Sequence, residues 1–185
     1  MDGDGSNDLH GTTRRVCGRG CGGFTLIELM IAVTIAGVLV GAGLPSFMHT
    51  LKNNRVRSAA TDLHLSFLMA RSESLKRGSN VLLNRSSSDW AGGWTVTATG
   101  VTDPLRVNDA FTSVQVDCAT SPTATPSACP ATVTFNRAGR PTSYIEFRNY
   151  MTDDENIQAR CVSMSLSGRP RVTVDTDGNP DNGCG

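Results

Sequence analysis

Two arginines near the C-terminus, Arg169 and Arg171, flank a proline in the stretch SGRPRV. Pro170 cannot donate a hydrogen bond to a central strand, and it biases Arg169 toward an extended backbone, which indicates a loop or an edge strand. Residues two apart on an extended chain face the same way, so the two side chains would lie about 6.6 Å apart. This distance is similar to the spacing of successive phosphates on one nucleic-acid strand. From the residues alone, the simpler interpretation is two solubilising charges on an edge strand.

A second Gly-Arg-Pro occurs in the stretch NRAGRPTS, which contains Arg137 and Arg140. It lacks the second arginine that follows the proline in SGRPRV. Arg137 and Arg140 are therefore candidate helpers of the first pair. Lys and Arg total 17, and so do Asp and Glu, so any attraction for nucleic acid must come from such a local cluster.

The C-terminal stretch DTDGNPDNG carries oxygen-bearing side chains at alternate positions, a pattern that suits Ca²⁺: Asp175, Asp177, Asn179 and Asp181. The stretch departs from the EF-hand template in its glycine position and lacks the terminal glutamate, and a polar loop explains it equally well. No catalytic triad, phosphate-binding glycine loop or paired-histidine motif stands out. We therefore expect a protein that is not an enzyme and needs no cofactor or metal.

Four of the six cysteines fall in the C-terminal half of the chain: Cys118, Cys129, Cys161 and Cys184. An even set of four on one side of a long apolar run, Phe24 to Leu44, predicts two disulfides in an oxidising compartment, with three possible connectivities. We favour the sequential pairing, Cys118 with Cys129 and Cys161 with Cys184. Each bridge would close a loop of roughly 12 to 24 residues and stabilise the fold by around 3 kcal/mol.

An apolar run from Phe24 to Leu44 has only three polar side chains, Thr25, Glu28 and Thr34. As a helix, this run is long enough to span about 30 Å of hydrocarbon. Arginines on its N-terminal side predict that this end stays in the cytoplasm. A carboxylate in such a segment is a functional candidate, although Thr25 and Glu28 could also form a capping box at the helix start.

Beyond Pro45, apolar residues continue at helical spacing as far as Arg77, and Gly78 is a plausible C-cap. From Asn80 onward, short β-rich runs bounded by turn residues predict an antiparallel head. The connector SSSDWAGGWTV indicates a hairpin that places Trp94 in the core, whereas Trp90 is the less defined core residue. The expected fold class is α+β, with a long N-terminal helix packed on an antiparallel β-sheet head.

The N-terminal pattern of Gly23, then Phe-Thr-Leu-Ile-Glu-Leu, then an apolar run resembles the class III signal of type IV pilins and type II secretion pseudopilins. The Trp-Ala-Gly-Gly-Trp turn and the Gly-Arg-Pro-Arg motif are similar to features of the GspH/FimT branch. The resemblance implies a type IV pilin-like fold with four parts: a cytoplasmic leader at 1–23, a membrane or filament-core helix half at 24–45, an amphipathic helix half at 46–78 and a periplasmic β-rich head at 79–185.

The same resemblance implies cleavage between Gly23 and Phe24 by a prepilin peptidase, followed by methylation of the Phe24 amine. Glu28 would then pair with the terminal amine of a neighbouring subunit during assembly. Pro45 would mark a site of local unwinding in the filament. The expected partners are the peptidase, the inner membrane and other pilins or pseudopilins, and the chain would cross the inner membrane once with its head in the periplasm.

The Gly-Arg-x-Arg motif of FimT-type minor pilins binds DNA for natural transformation, and Gly168, Arg169 and Arg171 match it, with Pro170 at the variable position. The resemblance therefore implies a minor pilin of a type IV pilus that binds DNA without sequence preference. The alternative is a structural pseudopilin at the tip of a type II secretion pseudopilus, whose partners are other pseudopilins.

Overall fold

The computed structural model describes residues 23–122, 124–154, 156–179 and 184. Position 181 and the leader as far as residue 22, about which the sequence makes predictions, lie outside these residues. The elements are α1 (Leu26–Arg77), β1 (Val81–Arg85), a 3₁₀ turn (Trp90–Gly92), β2 (Trp94–Ala98), β3 (Arg106–Asn108), β4 (Gln115–Ala119), β5 (Thr132–Phe135), β6 (Ile145–Tyr150), β7 (Arg160–Met164) and β8 (Pro170–Val174).

The chain divides into two compact units, residues 1–42 and residues 43–185. In the first unit, residues 23–42 expose every side chain. The most apolar 18-residue window of α1 has a mean hydropathy of 2.2, and none of it is buried. By length and composition, α1 is therefore able to cross a membrane.

In the second unit, α1 buries one face in the main core through Ala60, Leu63, Phe67 and Ala70. Phe67 lies between the rings of Phe135 and Phe147, at centroid distances of 6.0 and 5.7 Å. These two rings belong to different sheets, so a single helical side chain joins both sheets to α1.

The strands form two antiparallel four-stranded sheets, in the orders β3-β2-β1-β5 and β4-β6-β7-β8. This division was not predictable from strand periodicity, because β1 pairs with β5 across some fifty intervening residues. Trp94 enters the core as expected. Trp90, the residue left less defined by the sequence, is also fully buried, because a 3₁₀ turn capped by Asp89 aims its indole inward and Nε1 donates to the Pro130 carbonyl at 2.8 Å.

Candidate nucleic-acid interface

The C-terminal arginines lie on the edge strand of the second sheet. Arg169 directly precedes β8, Pro170 begins it, and Arg171 lies opposite Ser163 of β7. Both arginine side chains are exposed, and both line one groove of about 450 Å³. Pro170 thus begins an edge strand, as the sequence indicates, and the two arginine side chains reach the same groove.

The remainder of this groove is rich in hydroxyl groups, contributed by Tyr144, Ser163, Ser165, Ser167 and Thr173. The Tyr144 hydroxyl donates to Glu146 Oε2 at 2.9 Å, and the Cys184 amide donates to Glu146 Oε1 at 3.5 Å. Burial, reinforced by the hydrogen bond to Glu146, raises the pKa of Tyr144 above its usual value. Glu146 also lines the groove, and both of its carboxylate oxygens accept hydrogen bonds from the protein.

The second Gly-Arg-Pro forms a tight turn after β5. The Asn136 side chain accepts hydrogen bonds from the amides of Ala138 and Arg140, at 2.9 and 3.2 Å. The Asn136 amide donates to the Arg140 carbonyl at 2.8 Å, which closes the turn. Both Arg137 and Arg140 therefore extend outward from a rigid loop and are exposed.

The two Gly-Arg-Pro turns are in direct contact. Gly168 adopts a φ of +75°, and a Cβ at this position would lie 2.3 Å from the Gly139 carbonyl oxygen and 3.5 Å from the Arg140 Cα. No side chain fits such an approach, so glycine is required here on two grounds, its φ and the lack of space. The structure thus brings Arg140 next to Arg169, although 28 residues separate them in the sequence.

These four arginines, Arg137, Arg140, Arg169 and Arg171, form what we call the arginine surface. In the part of the chain that the structure describes, none of their side chains forms an ion pair or a hydrogen bond. The guanidinium groups of this surface are therefore not held by ion pairs within the described residues, although Glu146 lines the same groove as Arg169 and Arg171. An anion that approaches it meets donors already exposed to solvent.

The four C-terminal cysteines form two disulfides, Cys118–Cys129 and Cys161–Cys184, the pairing favoured from the sequence. The first closes the Pro/Thr/Ser-rich loop between β4 and β5. The second attaches the C-terminal segment to β7, and Cys184 lines the groove beside the arginines. One disulfide therefore contributes directly to the shape of the candidate site.

Three of the four candidate calcium ligands, Asp175, Asp177 and Asn179, lie within the described residues. Asp175 is buried and accepts from the guanidinium Nη2 of Arg148 at 3.3 Å and from the Gly178 amide at 2.9 Å. Asp177 Oδ1 accepts from the Asn179 amide at 2.9 Å. Within the described residues, no group of three or more His, Cys, Asp or Glu side chains could hold a metal ion. A guanidinium at the Asp175 carboxylate also repels a cation.

At the other end of the chain, Thr25 and Glu28 form a capping box at the start of α1. The Thr25 amide donates to Glu28 Oε2 at 3.0 Å, and the Glu28 amide donates to Thr25 Oγ1 at 3.2 Å. Gly23 and Phe24 precede the helix, and Phe24 is exposed, whereas Pro45 lies within the bounds of α1. The helix-capping interpretation of Glu28 thus describes the isolated chain.

Sequence reasoning did not identify two features of this site. It named Arg137 and Arg140 as candidate helpers but did not predict that their turn contacts the turn of Arg169. It also did not single out Arg71, which donates to the Gly168 carbonyl. The repeated Gly-Arg-Pro tripeptide was the available signal for the first feature. No local signal marks Arg71.

Two family models match this chain, one at its N-terminal segment and one over most of the remainder. The family model described as type II transport protein GspH matches residues 59–168, which is more than half of the chain, and the prokaryotic N-terminal methylation motif matches residues 18–44. No curated protein sequence matches the chain.

Among solved structures, the chain is similar to the Pseudomonas aeruginosa type IV minor pilin FimU, with 21% identity and a TM-score of 0.54 over 71% of this chain and 96% of that one. A second crystal form of FimU gives 21% identity and a TM-score of 0.52 over 69% and 98%. The minor pseudopilin EpsH of the Vibrio cholerae type 2 secretion system has 12% identity and a TM-score of 0.49 over 65% and 97%. At these identities the FimU likeness is one of fold, and it agrees with the family match: the chain belongs to the GspH family of minor pilins and pseudopilins.

Proposed function

We propose that this chain is a minor pilin of a type IV pilus that binds DNA through the arginine surface during natural transformation. The observation that carries the proposal is the meeting of two Gly-Arg-Pro turns, which gathers four exposed arginines without paired carboxylates among the described residues. Pilins and pseudopilins are structural subunits, so a binding role fits the family better than catalysis does.

The chemistry of this surface favours contacts with phosphates over recognition of bases. Guanidinium groups donate two parallel hydrogen bonds to phosphate oxygens. Sequence readout requires an element that enters a groove, such as a recognition helix, and the arginines lie instead on an edge strand and a tight turn. The expected result is binding that does not depend on DNA sequence.

Processing of the N-terminus and assembly into a filament would determine where the chain binds DNA. A prepilin peptidase would cleave after Gly23, Phe24 would become the methylated N-terminus, and α1 would hold the chain in the inner membrane with the head in the periplasm. N-terminal sequencing of protein recovered from membranes would then begin at Phe24. A mature N-terminus beyond Leu44 would contradict this maturation route.

Glu28 can serve both the helix and the assembly. Its hydrogen bonds with Thr25 engage Oε2, and among the described residues Oε1 accepts none. A neighbouring subunit's terminal amine could therefore bind Oε1 while the capping box remains formed. Pro45, within α1, is the position at which we propose local unwinding on assembly.

The second candidate function is a structural tip subunit of a type II secretion pseudopilus, whose partners would be other pseudopilins. The matched family model favours it, since its description is that of a type II transport protein. In that role the arginine surface would have no DNA to bind, so a DNA-binding measurement separates the two candidates.

The test uses the full chain in a non-ionic detergent and two unrelated DNA duplexes of equal length. The wild type should bind both equally, and Arg169→Ala with Arg171→Ala should remove most of the binding. Arg137→Ala with Arg140→Ala should weaken it less. Arg55→Ala with Arg57→Ala removes the same charge from α1 and is the matched control, which should bind as the wild type does. A wild type that fails to bind even at low salt would favour the secretion pseudopilin.

A further inference from the structure

Arg71 connects the helix to the arginine surface. Its side chain is half-buried, and its Nη1 donates to the Gly168 carbonyl. The Gly168 amide in turn donates to the Ser165 carbonyl at 2.8 Å, which closes the turn that carries Arg169. This turn is therefore fixed on one side by its own hydrogen bond and on the other by α1.

The turn that carries Arg140 lies between the same two partners. Gly139 has a φ of +69°, and a Cβ there would lie 2.9 Å from Leu75 Cγ and 3.1 Å from Arg71 Cγ. Its carbonyl oxygen faces the position that a Gly168 Cβ would occupy, at 2.3 Å. The stem of Arg71 thus packs against one turn while its guanidinium donates to the other.

We propose that Arg71 is a positioning residue that holds both Gly-Arg-Pro turns against α1, so that Arg140 and Arg169 act as one binding surface. This inference rests on the proposed DNA-binding function and adds a residue that does not itself touch DNA. The Arg71 guanidinium already donates a hydrogen bond to a protein carbonyl, whereas the guanidinium groups of the arginine surface donate none among the described residues.

A turn that is already held in place before DNA binds loses less conformational entropy on binding, which raises the affinity. A turn that is free to move must be fixed when DNA binds, and that ordering lowers the net affinity. The number of phosphates contacted, however, does not change. Loss of Arg71 should therefore weaken binding at every salt concentration without altering the slope of log K against log salt, since that slope counts neutralised phosphates.

The experiment compares Arg71→Met with the wild type and with Arg57→Met, in the full chain in a non-ionic detergent. Methionine keeps an apolar stem but has no donor, and Arg57 is an exposed arginine on the same helix. We expect Arg71→Met to bind a DNA duplex about five- to tenfold more weakly, the size of one lost hydrogen bond, with an unchanged salt slope. Arg57→Met should bind as the wild type does.

Two outcomes of this binding measurement would overturn the proposal. Wild-type affinity in Arg71→Met would show that the contact positions nothing. A slope reduced by about 0.9, the value for one lost phosphate contact on duplex DNA, would show that Arg71 binds DNA directly. Arg71→Lys, which keeps a donor, should recover part of the loss, and no recovery would exclude the hydrogen bond as the cause.

Hydrogen exchange tests the positioning role without DNA, and so separates its failure from failure of the proposed function. Arg71→Met should increase amide exchange in residues 165–170 and 136–140, while the core strands β1 and β7 keep the exchange rates of the wild type. Unchanged exchange in both turns would overturn the inference even if the wild type binds DNA. If the methionine variant does not fold, amide exchange is measured in Arg71→Lys instead. A smaller increase is then expected in both turns, and unchanged exchange would contradict the proposal.

Discussion

The second sheet carries two kinds of arginine that differ in almost every physical respect. Arg148 on β6 has a side chain only 9% exposed, pairs with Asp175 at 3.3 Å and lies 4.8 Å from the centre of the Tyr150 ring. Arg169 and Arg171 are exposed at the edge of the same sheet and have no carboxylate partner among the described residues. The same side chain therefore serves the fold in one place and is available for a ligand in the other.

The difference shows which arginines can respond to an external anion. A buried guanidinium that loses its carboxylate is left charged and desolvated, so Arg148 is tied to Asp175 by the cost of separation. In addition, Nε of Arg148 is buried with no hydrogen-bond partner in the described part of the chain. Exposed arginines incur no such cost, and a phosphate can replace water at them.

The largest expected effect comes from breaking the buried pair. Arg148→Ala leaves Asp175 charged and unpaired in the interior and should lower the free energy of unfolding by about 3–5 kcal/mol. Arg169→Ala should change it by no more than about 0.5 kcal/mol, because that side chain is exposed. Urea unfolding of the full chain measures both.

A double replacement sharpens this prediction. Arg148→Met with Asp175→Leu removes both charges and should cost less than Arg148→Ala alone, because no unpaired charge remains. If Arg148→Ala proved as mild as Arg169→Ala, the proposed division between structural and binding arginines would be wrong.

A smaller effect concerns the two tyrosines of the chain. Tyr144 lines the groove with Arg169 and Arg171, and Tyr150 lies against Arg148. Burial is the main reason that the pKa of Tyr144 and that of Tyr150 are raised, and hydrogen bonds to Glu146 and Asp117 add to the shift. Because each phenol has a higher pKa in the folded chain than in the unfolded chain, its neutral form contributes to the free energy of unfolding. That contribution is complete below the ordinary pKa of 10 and is lost as the pH rises beyond it.

Ultraviolet titration of the phenols checks this prediction. In the folded chain, tyrosinate absorbance should develop only at a pH above 10, whereas in denaturant both phenols should titrate near the ordinary value. Tyr144→Phe and Tyr150→Phe assign the two transitions. A folded-state transition at or below the ordinary pKa for either residue would show that its surroundings are wetter than the structure indicates.

Features encoded by neighbouring residues were the ones that the sequence predicted well. β1 and β3 lie in the region where short β-rich runs bounded by turn residues predict strands, and Thr25 and Glu28 form the capping box that their spacing suggests. Pro170 at the start of an edge strand likewise follows from its missing amide hydrogen.

Features that depend on distant residues were not predictable in this way. The contact between Gly139 and Gly168, the pair of Arg148 and Asp175, and the division into two sheets all join segments whose proximity no local pattern encodes. The apolar pattern of α1 also does not show where burial begins and ends: Phe47 is 65% and Leu75 53% exposed, while Ser74 is buried. A helix pattern fixes a face, but only the partner layer determines how far along that face burial extends.

The salt dependence of DNA binding tests the central claim most directly, because it counts the phosphates that the arginine surface neutralises. For two to four contacts, the wild-type chain should give a slope of about −2 to −4 in log K against log salt. Arg169→Ala with Arg171→Ala should reduce the magnitude of that slope by about 1.8, or remove detectable binding altogether. A wild-type slope near zero, or an unchanged slope and affinity in the double variant, would contradict the assignment of DNA binding to this surface.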